Sequence, residues 1–157
     1  MASDLFEKRV KDVMSRDVVT IEAGASVHDA LQLMAENKVA ALPVVDRSGR
    51  CMGMISTSDL VDVTRDLDEG LLELEETDEW SFGHVIARVG DGISHQSVMD
   101  LMSEQIASTE PEDLLHAAAS RMLRERIHRL PVLAADGHLL GILSTTDILS
   151  AFVESAP

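Results

Sequence analysis

Two short stretches carry the same chemistry, Gly53-Met54-Ile55-Ser56-Thr57-Ser58-Asp59 and Gly141-Ile142-Leu143-Ser144-Thr145-Thr146-Asp147. In each, a serine precedes an aspartate by three positions. An ionised carboxylate has two acceptor oxygens, a set that matches two neighbouring hydroxyl groups through charge-assisted hydrogen bonds. A serine at a helix start adds a hydroxyl and unpaired backbone N–H groups that face an anion. The same Ser-x-x-Asp spacing is also a capping box, in which the pair serves only its own helix. The opening glycine permits close backbone approach.

Other chemistry is sparse. No nucleophile, base and orienting group stand at recognisable spacing, so no catalytic residue is assigned and the chain does not read as an enzyme. His28 and His116 fall in the first turn of a helix with no companion ligand at i+4. They read as surface or packing residues, and no metal site is expected. Cys51 is the only cysteine, which excludes an internal disulfide and suits a reducing cytoplasm. The net charge of −15 repels nucleic-acid phosphates and opposes any small anion unless cations are concentrated locally. With no tyrosine and only Phe6, Trp80, Phe82 and Phe152, a planar ligand would lie between aliphatic walls rather than on stacked rings. No apolar run reaches the roughly 20 residues of a membrane span, and no secretory signal opens the chain.

The elements that must position the two motifs repeat with them. At an offset of 88, residues 10–61 align with 98–149 without a gap. Asp12-Val13-Met14-Ser15 meets Asp100-Leu101-Met102-Ser103, His28 meets His116, and Leu42-Pro43-Val44 meets Leu130-Pro131-Val132. A match of that length is a duplication, and two copies suit a closed pair better than an extended solenoid.

Each copy predicts β-α-β-β-α. A β-rich piece, Val18-Val19-Thr20-Ile21 or Ile106-Ala107-Ser108-Thr109, comes first. Ser26 with Asp29 then predicts a capped helix whose apolar face is Val27, Ala30, Leu31 and Met34. Leu114, Leu115, Ala118, Ala119 and Met122 form the second copy's face. Two strands around a Gly49 or Gly137 turn follow, then the helix opened by Ser56 or Ser144. The expected fold class is α/β (α+β), with pseudo-twofold repeats whose sheets pack against each other. The expected organisation is an arm (1–9), repeat 1 (10–65), an acidic linker (66–93), repeat 2 (94–153) and a tail (154–157). The linker reads as a solvated strap pinned by Trp80 and Phe82, or as a charged docking surface.

The duplicated unit, with "LPVVD…G…GMISTSD" and "LPVLAADG…GILSTTD", resembles a pair of cystathionine-β-synthase (CBS) domains, also called a Bateman module. Only the arm and linker fall outside the resemblance. It implies a stand-alone regulatory module that senses an adenosine-containing ligand in clefts between the repeats and usually forms a homodimer. AMP, ADP or ATP are the favoured ligands, with NAD or S-adenosylmethionine as others, and no cofactor is required. The protein target is unknown, and neither nucleic acid nor membrane is an expected partner. The alternative is a ligand-independent dimerisation or protein-interaction scaffold.

The resemblance also implies site residues. The aspartate would accept the ribose hydroxyls, and the serine three positions earlier would contact phosphate or ribose. Cleft A would combine Ser56 and Asp59 with Ile127, His128 and Arg129, with Ala107 on the apolar wall. Cleft B would combine Ser144 and Asp147 with Val39 and Ala40, with Val19 on its wall. Only cleft A carries cations. Arg129 has a forked donor set suited to phosphate, and an adjacent phosphate would favour protonated His128. Arg129 could instead pair with a surface carboxylate, and each apolar wall residue reads equally as core. Arg121, Arg124 and Arg126 are read as solvated helix positions.

Overall fold

Apolar residues at helical and strand spacing become the expected elements in both copies. The computed structural model describes residues 2–67 and 93–156. Its order is α1 (Ala2–Glu7), α2 (Val10–Val13), β1 (Ile21–Glu22), α3 (Val27–Asn37), β2 (Ala41–Val45), β3 (Cys51–Ser56) and α4 (Thr57–Leu67), then α5 (Val98–Leu101), α6 (Leu115–Glu125), β4 (Arg129–Leu133), β5 (Leu139–Ser144) and α7 (Thr145–Glu154). The mixed α/β class is as the sequence predicts. The linker residues Trp80 and Phe82 lie outside the described residues.

β1 is parallel to β2, with Ile21 opposite Val44, and β3 completes a three-stranded sheet. β4 and β5 form an antiparallel pair in which Arg129 faces Ser144 and Leu130 faces Leu143. The β-rich leading pieces are shorter than their composition suggests. In the first copy only Ile21 and Glu22 are strand, and in the second a single parallel bridge joins Thr109 to Val132. The register is the same at offset 88, so the pairing survives where the strand does not.

The described chain groups into two compact units, and neither is one copy of the repeat. Unit 1 comprises Met1–Val18, Ser48–Cys51 and Ala107–Pro157, and unit 2 comprises Val19–Arg47 and Met52–Ile106. Each copy's leading segment is therefore built into the unit that holds the other copy's strands and helices. In unit 1, Val10 N–H donates to Asp113 O and Leu115 N–H to Lys8 O, both at 2.9 Å. Ser15 and Ile142 exchange two backbone bonds of 2.9 Å. Unit 2 repeats every one of these at the matching positions. Val98 N–H donates to Ala25 O and Val27 N–H to Gln96 O at 2.9 Å, while Met54 and Ser103 exchange bonds of 3.0 and 2.9 Å. Unit 1 adds exposed ion pairs from Arg9 and Lys11 to Glu112, which contribute little in water.

The burial of one face of each helix holds these units together. In unit 2, Val27, Leu31 and Met34 of α3 pack with Leu42, Val44, Ile55, Leu60 and Val98. In unit 1, Leu115, Ala118 and Met122 of α6 pack with Val10, Met14, Leu130, Val132 and Leu143. Leu114 was expected on that face but is exposed; its extended backbone makes it the N-cap of α6, one residue outside the helix.

The opening glycines have a definite use. A Cβ on Gly53 would stand 2.5 Å from the carbonyl oxygen of Ser103, and one on Gly141 would stand 2.7 Å from that of Ser15. The close approach that glycine permits is thus taken by the chain's own leading segments. Gly53→Ala is expected to destabilise the protein by about 1–3 kcal/mol, since backbone must move to admit the methyl. Gly24→Ala, where nothing lies within 4 Å of the new Cβ, serves as the neutral control. Thermal or urea denaturation of the two variants checks the contrast.

Candidate functional site

Both Ser-x-x-Asp motifs stand where a strand ends and a helix begins. Ser144 has extended backbone, caps α7, and forms the full capping box with Asp147. Its Oγ accepts from Asp147 N–H at 3.1 Å, and Asp147 Oδ2 accepts from Ser144 N–H at 2.9 Å. At α4, Ser56 Oγ accepts from Asp59 N–H at 3.2 Å. Asp59 Oδ2 accepts from Ser56 N–H at 2.8 Å and also from Ser56 Oγ at 2.9 Å. The capping reading is therefore realised at both motifs, and it engages only one oxygen of each carboxylate.

The second oxygen has a partner that sequence reasoning missed. Asp59 Oδ1 accepts from the Ser103 hydroxyl at 3.3 Å, and Asp147 Oδ1 accepts from the Ser15 hydroxyl at 3.2 Å. These serines are the residues whose carbonyls press on Gly53 and Gly141. The available signal was their match to each other at offset 88. All four carboxyl-bearing and hydroxyl-bearing side chains except exposed Ser103 are half-buried.

A second contact closes each corner. α3 and α6 end with Lys38 and Arg126 in the left-handed region, at φ 54° and 55°. The reversal brings Ala40 O to the first N–H of α4, on Thr57, at 2.9 Å. It likewise brings His128 O to Thr145 N–H at 3.1 Å. Within unit 1, Ser144, Asp147, His128 and Arg129 therefore share one corner, with Arg129 directly across the strands from Ser144. Within unit 2, Ser56, Asp59 and Ala40 share the other. The sequence reading grouped His128 and Arg129 with Asp59; that grouping draws on both units and is taken up below as a proposal.

Arg129 is half-buried at the start of β4, and His128 is exposed. Among the described residues neither side chain has an ion-pair or hydrogen-bond partner. Arg121 departs from its expected role. It is only 38% exposed, ion-paired to Glu125 at 3.0 Å and hydrogen-bonded to Ser108 O. It lines a groove of about 500 Å³ with Ser108, Thr109, Glu110 and Asp113. None of the candidate site residues lines that groove, and within it Thr109 Oγ1 donates to Asp113 Oδ2 at 2.7 Å. Val19 and Val39 pack on the core of unit 2, and Ala107 and Ile127 on that of unit 1, whereas Ala40 is exposed. His28 and His116 are both exposed, and the His116 ring lies 6.0 Å from that of Phe6.

The CBS domain family matches residues 10–66 and 98–154, and the chain belongs to that family. The two matched segments are themselves 88 positions apart. The 5'-AMP-activated protein kinase subunit gamma-3 of Sus scrofa is 29% identical over 140 residues, covering 89% of this chain and 24% of that protein. This chain thus spans about a quarter of the length of the kinase subunits it matches. The uncharacterized protein MJ1426 of Methanocaldococcus jannaschii is 27% identical, with 92% of this chain and 90% of that one covered. Among solved structures, CBSX2 in complex with AMP, a CBS-pair protein from Arabidopsis thaliana, is 28% identical. Its TM-score is 0.71, and 93% of this chain and 96% of that chain are covered.

A third box, Ser26 with Asp29 at α3, shows what the motif does as a cap alone. The Ser26 side-chain hydrogen bond, with help from its backbone N–H, holds the Asp29 carboxyl below its ordinary value of 3.8. A carboxyl depressed by folding adds stability above its unfolded pKa, and that stability is lost as pH falls through the lower folded value. Ser26→Ala should cost about 1 kcal/mol near neutral pH, the usual worth of an N-cap. It should also flatten the acid limb of the stability profile below about pH 4, which denaturant titrations at stepped pH will read.

Proposed function

We propose that this chain is a regulatory module for an adenosine-containing ligand, AMP, ADP or ATP before NAD or S-adenosylmethionine, and that it carries no catalytic step. One observation carries the reading. Two half-buried carboxylates, each oriented by a helix cap, stand beside strand starts of which one holds a cation without a partner among the described residues. A ribose diol fits the carboxylates and a phosphate fits Arg129. The similarity to CBSX2, whose structure holds AMP, and to a subunit of an AMP-activated kinase supports this choice.

The grouping across repeats is taken from the family resemblance, since within unit 1 Arg129 stands across from Ser144; in it cleft A is served by Ser56, Asp59, Ile127, His128 and Arg129 with Ala107. Cleft B is served by Ser144, Asp147, Val39 and Ala40 with Val19. Cleft A alone is given the cations, which in a chain of net charge −15 decides where a phosphate is held. The ligand stabilises one arrangement of the repeats and so biases an unidentified protein target in the cytoplasm. Among the described residues, no helix is long and apolar enough to cross a membrane.

A saturating nucleotide at 100 times its dissociation constant should add roughly 2.7 kcal/mol, a readily measured rise in melting temperature. The reading fails if AMP, ADP, ATP, NAD and S-adenosylmethionine at millimolar concentration all leave the transition of ligand-stripped protein unmoved. Asp59→Ala and Arg129→Ala should each weaken binding more than Asp147→Ala, and calorimetry showing the reverse order would move the phosphate to cleft B.

The alternative, a ligand-independent dimerisation scaffold, has an observation of its own. On α7, Leu149, Phe152 and Val153 are 64%, 62% and 70% exposed and follow helical spacing on one side. We place the contact with a second copy on this uncharged face, where two strongly acidic chains can approach. Phe152→Glu should turn a concentration-dependent dimer into a monomer in sedimentation experiments, and unchanged sedimentation would remove α7 from the interface.

A further inference from the structure

The groove lined by Arg121 lies at the far end of β4 from the corner of Ser144 and Asp147, and unit 2 does not have its polar groups. At offset 88, Thr109, Asp113 and Arg121 match Ile21, Ala25 and Leu33, which lie in or against the core of unit 2. The rim is cleared of charge as well, since Ala134 and Ala135 match Asp46 and Arg47. Thr109 fixes the geometry. It is 6% exposed, its N–H donates to Pro131 O at 3.0 Å, and its carbonyl accepts from Leu133 N–H at 2.9 Å. The two flanking peptide groups, Ser108 C=O and Glu110 N–H, therefore point to the opposite edge of the segment. There Arg121 donates to Ser108 O, and Asp113 Oδ2 accepts from Glu110 N–H at 2.9 Å and from the Thr109 hydroxyl at 2.7 Å.

A guanidinium and a carboxylate thus share one edge, on anchors one residue apart, roughly 3.3 Å of extended chain. Among the described residues Arg121 pairs with Glu125 and not with Asp113. Both keep unused capacity. A guanidinium has five N–H donors, of which Arg121 spends one on Glu125 and one on Ser108 O. Asp113 Oδ1 accepts from no donor among the described residues, because both of its bonds fall on Oδ2. We propose that this groove binds a free α-amino acid with an apolar side chain. Its carboxylate lies on the fork of Arg121, its ammonium on Asp113 Oδ1, and its side chain against Leu133, Ala134 and Ala135. The two charges of such a ligand are separated by a single carbon, a spacing that suits anchors one residue apart. A ligand without net charge is also spared the repulsion that a chain of net charge −15 imposes on a simple anion. The groove's volume of about 500 Å³ is in the range of small-molecule sites.

Calorimetric titration of the full chain with L-leucine, isoamylamine and 4-methylpentanoate tests this, since the last two are leucine without its carboxylate and without its amine. Leucine should bind at least about tenfold more tightly than either. Arg121→Gln and Asp113→Asn should each weaken leucine by about tenfold or more, the worth of one charge-assisted hydrogen bond. Millimolar AMP should not displace it, which separates this groove from the nucleotide corners. Thr109→Ile, Asp113→Ala and Arg121→Leu combined give unit 1 the residues of unit 2; that variant should melt cooperatively and give no heat with leucine. The assignment is overturned by a parent that gives no heat with leucine, by an analogue of single charge that binds as tightly, by displacement with AMP, or by leucine binding that survives in the combined variant.

Discussion

The contact on which the rest depends is the meeting of a leading segment with a returning strand, Ser103 with Met54 and Ser15 with Ile142. Two backbone hydrogen bonds close each contact, and a glycine one position before the strand residue leaves room for the serine carbonyl. That spacing fixes where the serine side chain emerges. It emerges at the aspartate of the following helix, so a requirement of strand pairing delivers a hydroxyl to a carboxylate. A side chain at Gly53 or Gly141 would push the segment outward and leave that oxygen bare. Packing and the second hydrogen bond of each carboxylate therefore depend on the same few atoms.

Legibility in the sequence followed the range of the interaction. The helix faces, the Leu42-Pro43-Val44 and Leu130-Pro131-Val132 strands and the capping boxes were readable because each is decided within a few residues. The strand at residues 106–109 was not, because its pairing is confined to one parallel bridge between Thr109 and Val132, a partner outside the local pattern. Leu114 was misplaced by one residue because a helix boundary is set by its cap rather than by its apolar period. Ser15 and Ser103 were visible as a matched pair. Their partners lie 132 and 44 residues away, so nothing local announced what the match was for. Arg121 looked solvated by composition, yet its reach to Ser108 O ties it down.

The duplication has not been kept symmetrical in its charges. Where unit 2 carries Gln96 and Ser97, unit 1 carries Lys8 and Arg9, and the leading segment of unit 1 is joined to Glu112 by ion pairs with no counterpart among the described residues of unit 2. Where Ala40 leads into β2 at Ala41, His128 leads into β4 at Arg129. The backbone bonds that close each leading segment on its strand and helix are the same at the matched positions: Val10 to Asp113 and Val98 to Ala25, Leu115 to Lys8 and Val27 to Gln96, Ser15 with Ile142 and Ser103 with Met54. The two copies thus differ in side chains at these positions and share the backbone pairing that shapes the corners.

The exchange of leading segments also sets an order of events. Residues 8–15 are synthesised more than a hundred positions before their partners at Asp113, Leu115 and Ile142. Unit 1 thus cannot close before Ile142 has been made, and its leading segment must wait, unpaired, for β5. Contacts of such separation slow folding, because a long loop is ordered before any burial rewards it. Unit 2, whose paired segments all lie between Val19 and Ile106, is free to form first. Splitting the gene between the two copies would give each half a corner whose serine belongs to the other product. Neither fragment would be a small version of the whole, although the two should complement each other when mixed.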